Sequence, residues 1–289
     1  MGRILLILGL VLICLFVMVL IVSYHDIHRF VTVHYRIKMA NIKAPVRICL
    51  ISDLHGCVHG EANRDLIEAI DREKPDLLVL AGDVINGGEP RETLEIEMPL
   101  LQHLASHYPV YAGNGNHESK LYWYPYRYNG FDRKFKEIYK DMGIRLLIDD
   151  SEYIEDYGIR ISSIELGREF YRRFYERKMG EGYMEGKLGK ADLNVCNLLI
   201  AHNPRYFKEY AAWGADLTLS GHVHGGVMRL PLLGGVISPA FILFPKYDGG
   251  EYDMNGKKMV LSRGLGVHTL PFRVFNPCEL VIIDLDTDQ

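Results

Sequence analysis

The chain has 289 residues, 48% of them hydrophobic and 24% charged, with a formal net charge of −4. That length holds one large domain or two small ones around a sizeable core. The slightly acidic balance speaks against sequence-independent nucleic-acid binding, which needs a basic excess. The five cysteines lack the clustered spacing of a disulfide scaffold or zinc ribbon and leave the cellular compartment open.

Residues 4–22 run for nineteen positions without a charge. As a helix at about 1.5 Å per residue, the run approximately spans the roughly 30 Å hydrocarbon core of a bilayer. It exceeds the usual apolar stretch of a signal peptide, and no small-x-small cleavage pattern follows, so residues 1–23 are expected to be an uncleaved membrane anchor. The expected location is therefore a cell membrane, crossed once. Basic residues flank the run on both sides (Arg3 before it, Arg29, Arg36, Lys38 and Lys43 after it), which leaves the side of the catalytic domain open.

Residues 24–44 read as a short polar connector closed by Pro45, and the globular domain is expected over 45–289. Residues 46–52 (VRICLIS) form a brief apolar run, the mark of a strand buried on both faces. Helical spacing over 62–74 places Leu66, Ile67 and Ile70 on one stripe that Pro75 stops. Residues 77–81 predict a second strand, 93–105 a helix interrupted or bent near Pro99, and 110–113 a third strand. Further on, 197–201 and 217–220 predict strands, with a helix over 206–213 between them. Residues 259–262 and 280–285 predict two more strands. Strands alternating with helices imply a parallel sheet with right-handed crossovers, and such sheets bind ligands beyond the carboxyl ends of their strands.

That rule gathers several short motifs at one edge. SDLHG (52–56) follows the first strand, GDV (82–84) the second and GNGNHE (113–118) the third. Later, His202 follows the strand at 197–201, and GHVHGG (221–226) follows the strand at 217–220. The inventory is Asp53, His55, Asp83, Asn116, His117, His202, His222 and His224. Carboxylates and neutral imidazoles suit a borderline divalent metal, and the i, i+2 spacing of Asp53/His55 and of His222/His224 points each pair to one side of an extended segment. Taken singly these motifs are weak; five of them in order after apolar strands are not.

The order D-x-H, G-D, G-N-H-E, H, G-H-x-H resembles that of the calcineurin-like metallophosphoesterases. The later segments GHVHGGVMRLPLLGGVISP, FPKYDGG, SRGLG and FNPCEL are similar to a bacterial branch whose members often carry an N-terminal membrane segment or export signal. The resemblance implies a four-layer α/β/β/α sandwich with two mixed sheets. It also implies two divalent metal ions, with manganese foremost and iron or zinc as alternatives. One would be held by Asp53, His55, Asp83 and His224, and the other by Asp83, Asn116, His202 and His222, with Asp83 and a hydroxide bridging. His117 is then the catalytic histidine outside the metal set, free to serve the leaving oxygen, and Glu118 is the candidate to orient its ring. Cys57, His59, His103, His107 and His268 read as structural or surface residues, His268 least securely, because the SRGLG segment lies close by.

Residues 119–192 depart from the α/β pattern and read as a variable, cap-like region. LYWYPYRY (121–128) and REFYRRFYERK (168–178) pack aromatics with basic residues. Either the aromatics pack on one another, or Arg168, Arg172, Arg173 and Arg177 meet the phosphate of an amphiphile near the bilayer. The leading expectation is a phosphodiesterase or pyrophosphatase acting on a lipid-linked or cell-envelope phosphoester. A phosphomonoesterase and a non-catalytic metal-binding membrane protein are the alternatives.

Overall fold

The computed structural model describes residues 1–172, 177–238, 241–267 and 271–287; Arg173 and His268 lie outside the described residues. In chain order the elements are α1 (Gly2–His28), β1 (Phe30–Met39), β2 (Val46–Ile51), α2 (Arg64–Glu73), β3 (Leu77–Leu80) and α3 (Pro90–His107). Next come β4 (Val110–Gly113), α4 (Asn116–Trp123), α5 (Phe131–Met142), β5 (Arg145–Leu147), β6 (Asp150–Ile154), β7 (Ile159–Ser163) and α6 (Tyr183–Leu188). The remainder is β8 (Cys196–Ile200), α7 (Phe207–Trp213), β9 (Leu217–Ser220), β10 (Arg229–Leu230), β11 (Gly234–Gly235), β12 (Gly250–Met254), β13 (Lys257–Leu261) and β14 (Cys278–Thr287).

Two six-stranded sheets form, in the orders β1-β14-β2-β3-β4-β5 and β12-β13-β9-β8-β7-β6. Both are mixed rather than purely parallel. β14 runs antiparallel to β2, and antiparallel pairs β12–β13 and β6–β7 close the ends of the second sheet. Alternation along each strand divides its side chains between two cores. Ile48, Leu50, Leu77 and Val79 meet Leu198, Ile200, Leu217 and Leu219 between the sheets. Cys49, Ile51, Leu78 and Leu80 point the other way, onto Leu66 and Ile70 of α2, Leu100 and Leu104 of α3, and Phe135 of α5. The outer face of the second sheet is covered by α6 and α7, through Met184, Tyr210 and Phe207. The result is the α/β/β/α sandwich.

Three expectations change. Residues 24–44 are not a mere connector: α1 continues to His28, and β1 pairs with β14 in parallel register from Phe30↔Cys278 to Met39↔Thr287. Residues 119–192 are not a detached cap, since they supply β5 to the first sheet and β6 and β7 to the second. The helix over 90–107 runs through Pro99 as one 18-residue element, with Pro90 in its first turn, where a missing N–H costs nothing.

Candidate metal centre

β2, β3 and β4 of the first sheet and β8 and β9 of the second all end at the same edge. The backbone ties their loops together there: Asp53 N–H donates to Gly82 O (3.0 Å), His55 N–H to Asp83 O (3.1 Å) and Gly221 N–H to His202 O (3.1 Å). Two ligand clusters result, Asp53/His55/His224 and Asp83/His202/His222, while His117 joins His55 and Asp83 in a third. Asp83 Oδ2 lies 3.1 Å from His202 Nε2 and 3.7 Å from His55 Nε2, and Asp53 Oδ1 lies 3.3 Å from His224 Nε2. The other carboxylate oxygen of Asp83 is held by His117 N–H at 2.8 Å. Asn116, at the start of α4, has a buried Oδ1 with no hydrogen-bond partner, an oxygen fit for a cation.

The backbone at these residues is strained. Asp53, His55, Asp83, His222 and His224 all have φ between 52° and 76°, a region that side-chain-bearing residues rarely adopt. Such strain persists only where surrounding contacts over-determine it. Glycine makes the close passage possible: a Cβ at Gly266 would stand 2.0 Å from Leu54 O, and one at Gly264 would stand 2.7 Å from Asp53 Cβ. The SRGLG segment therefore packs directly beneath the Asp53 loop.

Main-chain groups set the imidazole tautomers. His202 Nδ1–H donates to Ala81 O (2.7 Å) and His224 Nδ1–H to Gly266 O (3.2 Å), which turns each Nε2 towards the carboxylates. His117 is the reverse: Gly87 N–H donates to its Nδ1 at 2.8 Å, so the neutral ring carries its proton on Nε2. Lys120 Nζ lies 3.3 Å from that Nε2. Glu118, expected to orient His117, is engaged elsewhere. Its carboxylate accepts from the amides of Asp83 and Gly115 (both 2.8 Å) and Ile85 (3.0 Å). As the third residue of α4 it folds back over the helix start and holds the Asp83 loop by its backbone.

The electrostatics call for cations. Burial alone would push the Asp83 carboxyl up, but the imidazoles of His202, His117 and His55 hold it well below its ordinary value. Burial likewise opposes charge on His202, yet Asp83 and Asp53 pull its imidazole up to about 10. The carboxylates thus demand positive charge at this point. Burial pushes His222 and His224 down, with His202 adding to the effect on His222, so both are neutral imidazoles as ligation requires. Burial and the nearby Asp83 raise Glu118 to about 7 against the pull of its three amide donors.

Several participants were not anticipated. The Tyr171 ring meets His222 edge-on at 5.2 Å. Buried Asn276 donates from Nδ2 to the carbonyls of His224 (2.7 Å) and Gly226 (2.5 Å). Arg273, 1% exposed, has no carboxylate partner among the described residues; its guanidinium donates to the carbonyls of Arg263, Gly264, Gly266 and Asn276. Tyr171 lies in the REFYRRFYERK segment and Asn276 in FNPCEL, while Arg273 lies in none of the segments singled out. Arg168 lies over the Tyr124 ring (5.2 Å), while Arg172 and Arg177 are exposed. His59 donates to Leu265 O from a buried position, and His103 faces Asp71. Burial pushes the Cys57 thiol up, against the Val267 N–H that it accepts.

An α/β/β/α sandwich whose strand ends gather two carboxylates, an amide oxygen and a ring of imidazoles defines a metal-dependent phosphoester hydrolase. The Calcineurin-like phosphoesterase family matches residues 46–226, and the chain belongs to that family. Among its relatives is the uncharacterized metallophosphoesterase YkuE of Bacillus subtilis, 26% identical over 222 residues, covering 77% of this chain and 72% of that protein. Another is the phosphodiesterase YaeI of Escherichia coli, 25% identical over 227 residues, covering 77% of this chain and 76% of that protein. A dimetal phosphatase from Danio rerio superposes with a TM-score of 0.41 at 13% identity over 78% of this chain and 89% of that one, too distant to inform the site. Family and ligand cluster together point to a dinuclear divalent-metal site.

Proposed function

We propose that the chain is a phosphodiesterase or pyrophosphatase with two metals that share Asp83, anchored by α1 and acting on a lipid-linked or cell-envelope phosphoester. The observation that carries the metal assignment is Asp83 itself: one oxygen is pinned by His117 N–H, and the other faces His55 on one side and His202 on the other. Asp53, His55 and His224 would complete one site, and Asn116, His202 and His222 the other. Bound there, two divalent cations supply a hydroxide nucleophile at neutral pH and draw charge from the phosphoryl oxygens; manganese is the preferred ion, with iron or zinc suited to the same donors.

His117 holds its proton on Nε2 because Gly87 N–H occupies Nδ1, so it is set to protonate the leaving oxygen. Glu118 acts through the backbone, holding the Asp83 loop. The anchor reading rests on α1, whose best 18-residue window has a mean hydropathy of 3.6 and buries nothing against the domain. The preference for a diester has the support of YaeI, a relative named as a phosphodiesterase.

The test is metal analysis of the full chain in detergent, followed by turnover of a bis-aryl phosphodiester and of the mono-aryl phosphate. Near two metals per chain with the diester preferred is the expected result. Turnover of the monoester alone would favour the phosphomonoesterase, and activity without bound metal would overturn the centre.

A further inference from the structure

Among the described residues outside α1, seven of the twelve exposed large hydrophobic side chains fall within residues 230–244 or at Phe275, among them Leu232 (fully exposed), Leu233, Phe244 and Phe275. The sequence over 227–246, VMRLPLLGGVISPAFILFPK, contains no carboxylate and carries only Arg229 and Lys246 as charges. A cluster of exposed apolar residues of this kind marks an interaction site, and its place in the fold says which.

The patch is tied to the end of α1. Val274 pairs with Met228, Arg229 N–H donates to Val274 O, and Val274 N–H donates to Val227 O, which joins the apolar segment to residues 273–276. Those residues are in turn bonded to the last turns of the helix: Arg273 N–H donates to Ser23 Oγ (3.1 Å) and Asn276 N–H to Asp26 Oδ2 (2.7 Å), with Ser23 and Asp26 both buried. Topology sets the level. β14 starts beside the end of β2, and β1 starts beside Cys278, so α1 meets the domain at the sheet edge that carries the metal ligands. The apolar segment also begins three residues after His224.

We infer that residues 227–238 and 241–246, together with Phe275, are a second membrane contact that lies in the bilayer interface next to the exit of α1 and holds the candidate metal-ligand edge against the lipid. This rests on the reading of α1 as an anchor. The absence of carboxylates from the segment suits a surface that carries anionic headgroups; of its two cations, Arg229 is already paired with Asp248 at 3.2 Å. A helix alone leaves a domain free to tilt on its tether; a second contact fixes which edge meets the lipid.

The test uses the full chain in vesicles of phosphatidylcholine and phosphatidylglycerol, with an environment-sensitive dye on single cysteines and doxyl-lipid quenchers. Dye on the native Cys14, exposed in α1, reports the anchor. In a Cys14→Ser background, dye is placed at Leu232→Cys, Phe244→Cys and Leu193→Cys, with the Cys14→Ser chain labelled identically as the blank. Leu193 is exposed at the opposite end of the strands. The expected result is lipid quenching at 14, 232 and 244 and none at 193. An aqueous, unquenched signal at 232 and 244 with Cys14 quenched would overturn the second contact and leave the anchor standing. Quenching at 193 as well, or a shifted signal at 232 and 244 that doxyl lipid does not quench (contact with another copy), would also overturn it. An unquenched Cys14 would remove the anchor reading and this inference with it.

Discussion

Replacing Asn276 by alanine should loosen the last candidate metal-ligand loop while touching no candidate ligand side chain. The side chain is fully buried, and its amide donates to the carbonyls of His224 and Gly226. Alanine leaves both oxygens without a donor, at about 1–3 kcal/mol for each buried acceptor left dry. The space vacated by the amide admits a water that satisfies one of them, so a loss of about 2–4 kcal/mol is expected. For a domain of this size that lowers the melting temperature by roughly 5–10 °C. The second effect is on the metal. His224 sits at positive φ, and its backbone is held by Asn276 while its ring is held by Gly266 O. Removing a brace of this kind costs about 10–100-fold in metal affinity. Urea unfolding of the full chain in detergent and a metal titration, each run on native and variant protein, give the two numbers. An unchanged urea midpoint together with an unchanged affinity would refute the claim that Asn276 braces this loop.

Asp83→Asn should abolish binding of both metals and turnover together, because the shared anion is gone; elemental analysis that still returned two metals per chain would end the bridging assignment. Glu118→Gln sets an NH2 against one of three amide donors and should cost about 1–3 kcal/mol. It should also lower kcat for the soluble diester through displacement of the Asp83 loop, so native kcat and stability in the variant would count against that role. Glu97, buried on α3 with Asn63 Nδ2 as a donor at 3.0 Å, is pushed by burial from 4.5 to about 8. Between those values the folded chain keeps a proton that the unfolded chain has released, so stability falls as pH rises, by up to about 1.4 kcal/mol per unit. The contribution is full below pH 4.5 and lost through pH 8; Glu97→Gln should flatten the urea midpoint across that window, and an unaltered slope would show that Glu97 is ionised.

The seven metal candidates were legible because each directly follows an apolar run, and chain order alone places strand ends together. β1 was not, for a physical reason. Its outward residues His34, Arg36 and Lys38 give it the polar look of a linker, and its partner β14 is some 250 positions away, so no local signal records the pairing. β5 to β7 were hidden for a related reason, since short strands beside aromatic-rich helices read as irregular. Glu118 was assigned to the wrong neighbour because adjacency in sequence suggested His117; its place in the first turn of α4 directs it instead to the backbone amides around the helix start. The positive φ at five of the candidate ligands has no signature in residue type. Arg273 and Asn276 become visible only once the carbonyls of the SRGLG segment are seen to face the one and those of His224 and Gly226 the other.

On the proposal that α1 is a membrane anchor, β1 also bears on how the domain is set free. Arg29 alone separates the end of α1 from the first residue of the sheet. A protease that cleaves there leaves every strand in place. One that cleaves after Arg36 or Lys38 splits the strand, and loss of the pieces bares the long edge of β14, whose LVII run is the sort of unpaired template on which chains aggregate. Even the clean cut discards Ser23 and Asp26, the helix residues that hold Arg273 and Asn276. On that proposal, shedding has a window one residue wide, and its product is an altered enzyme.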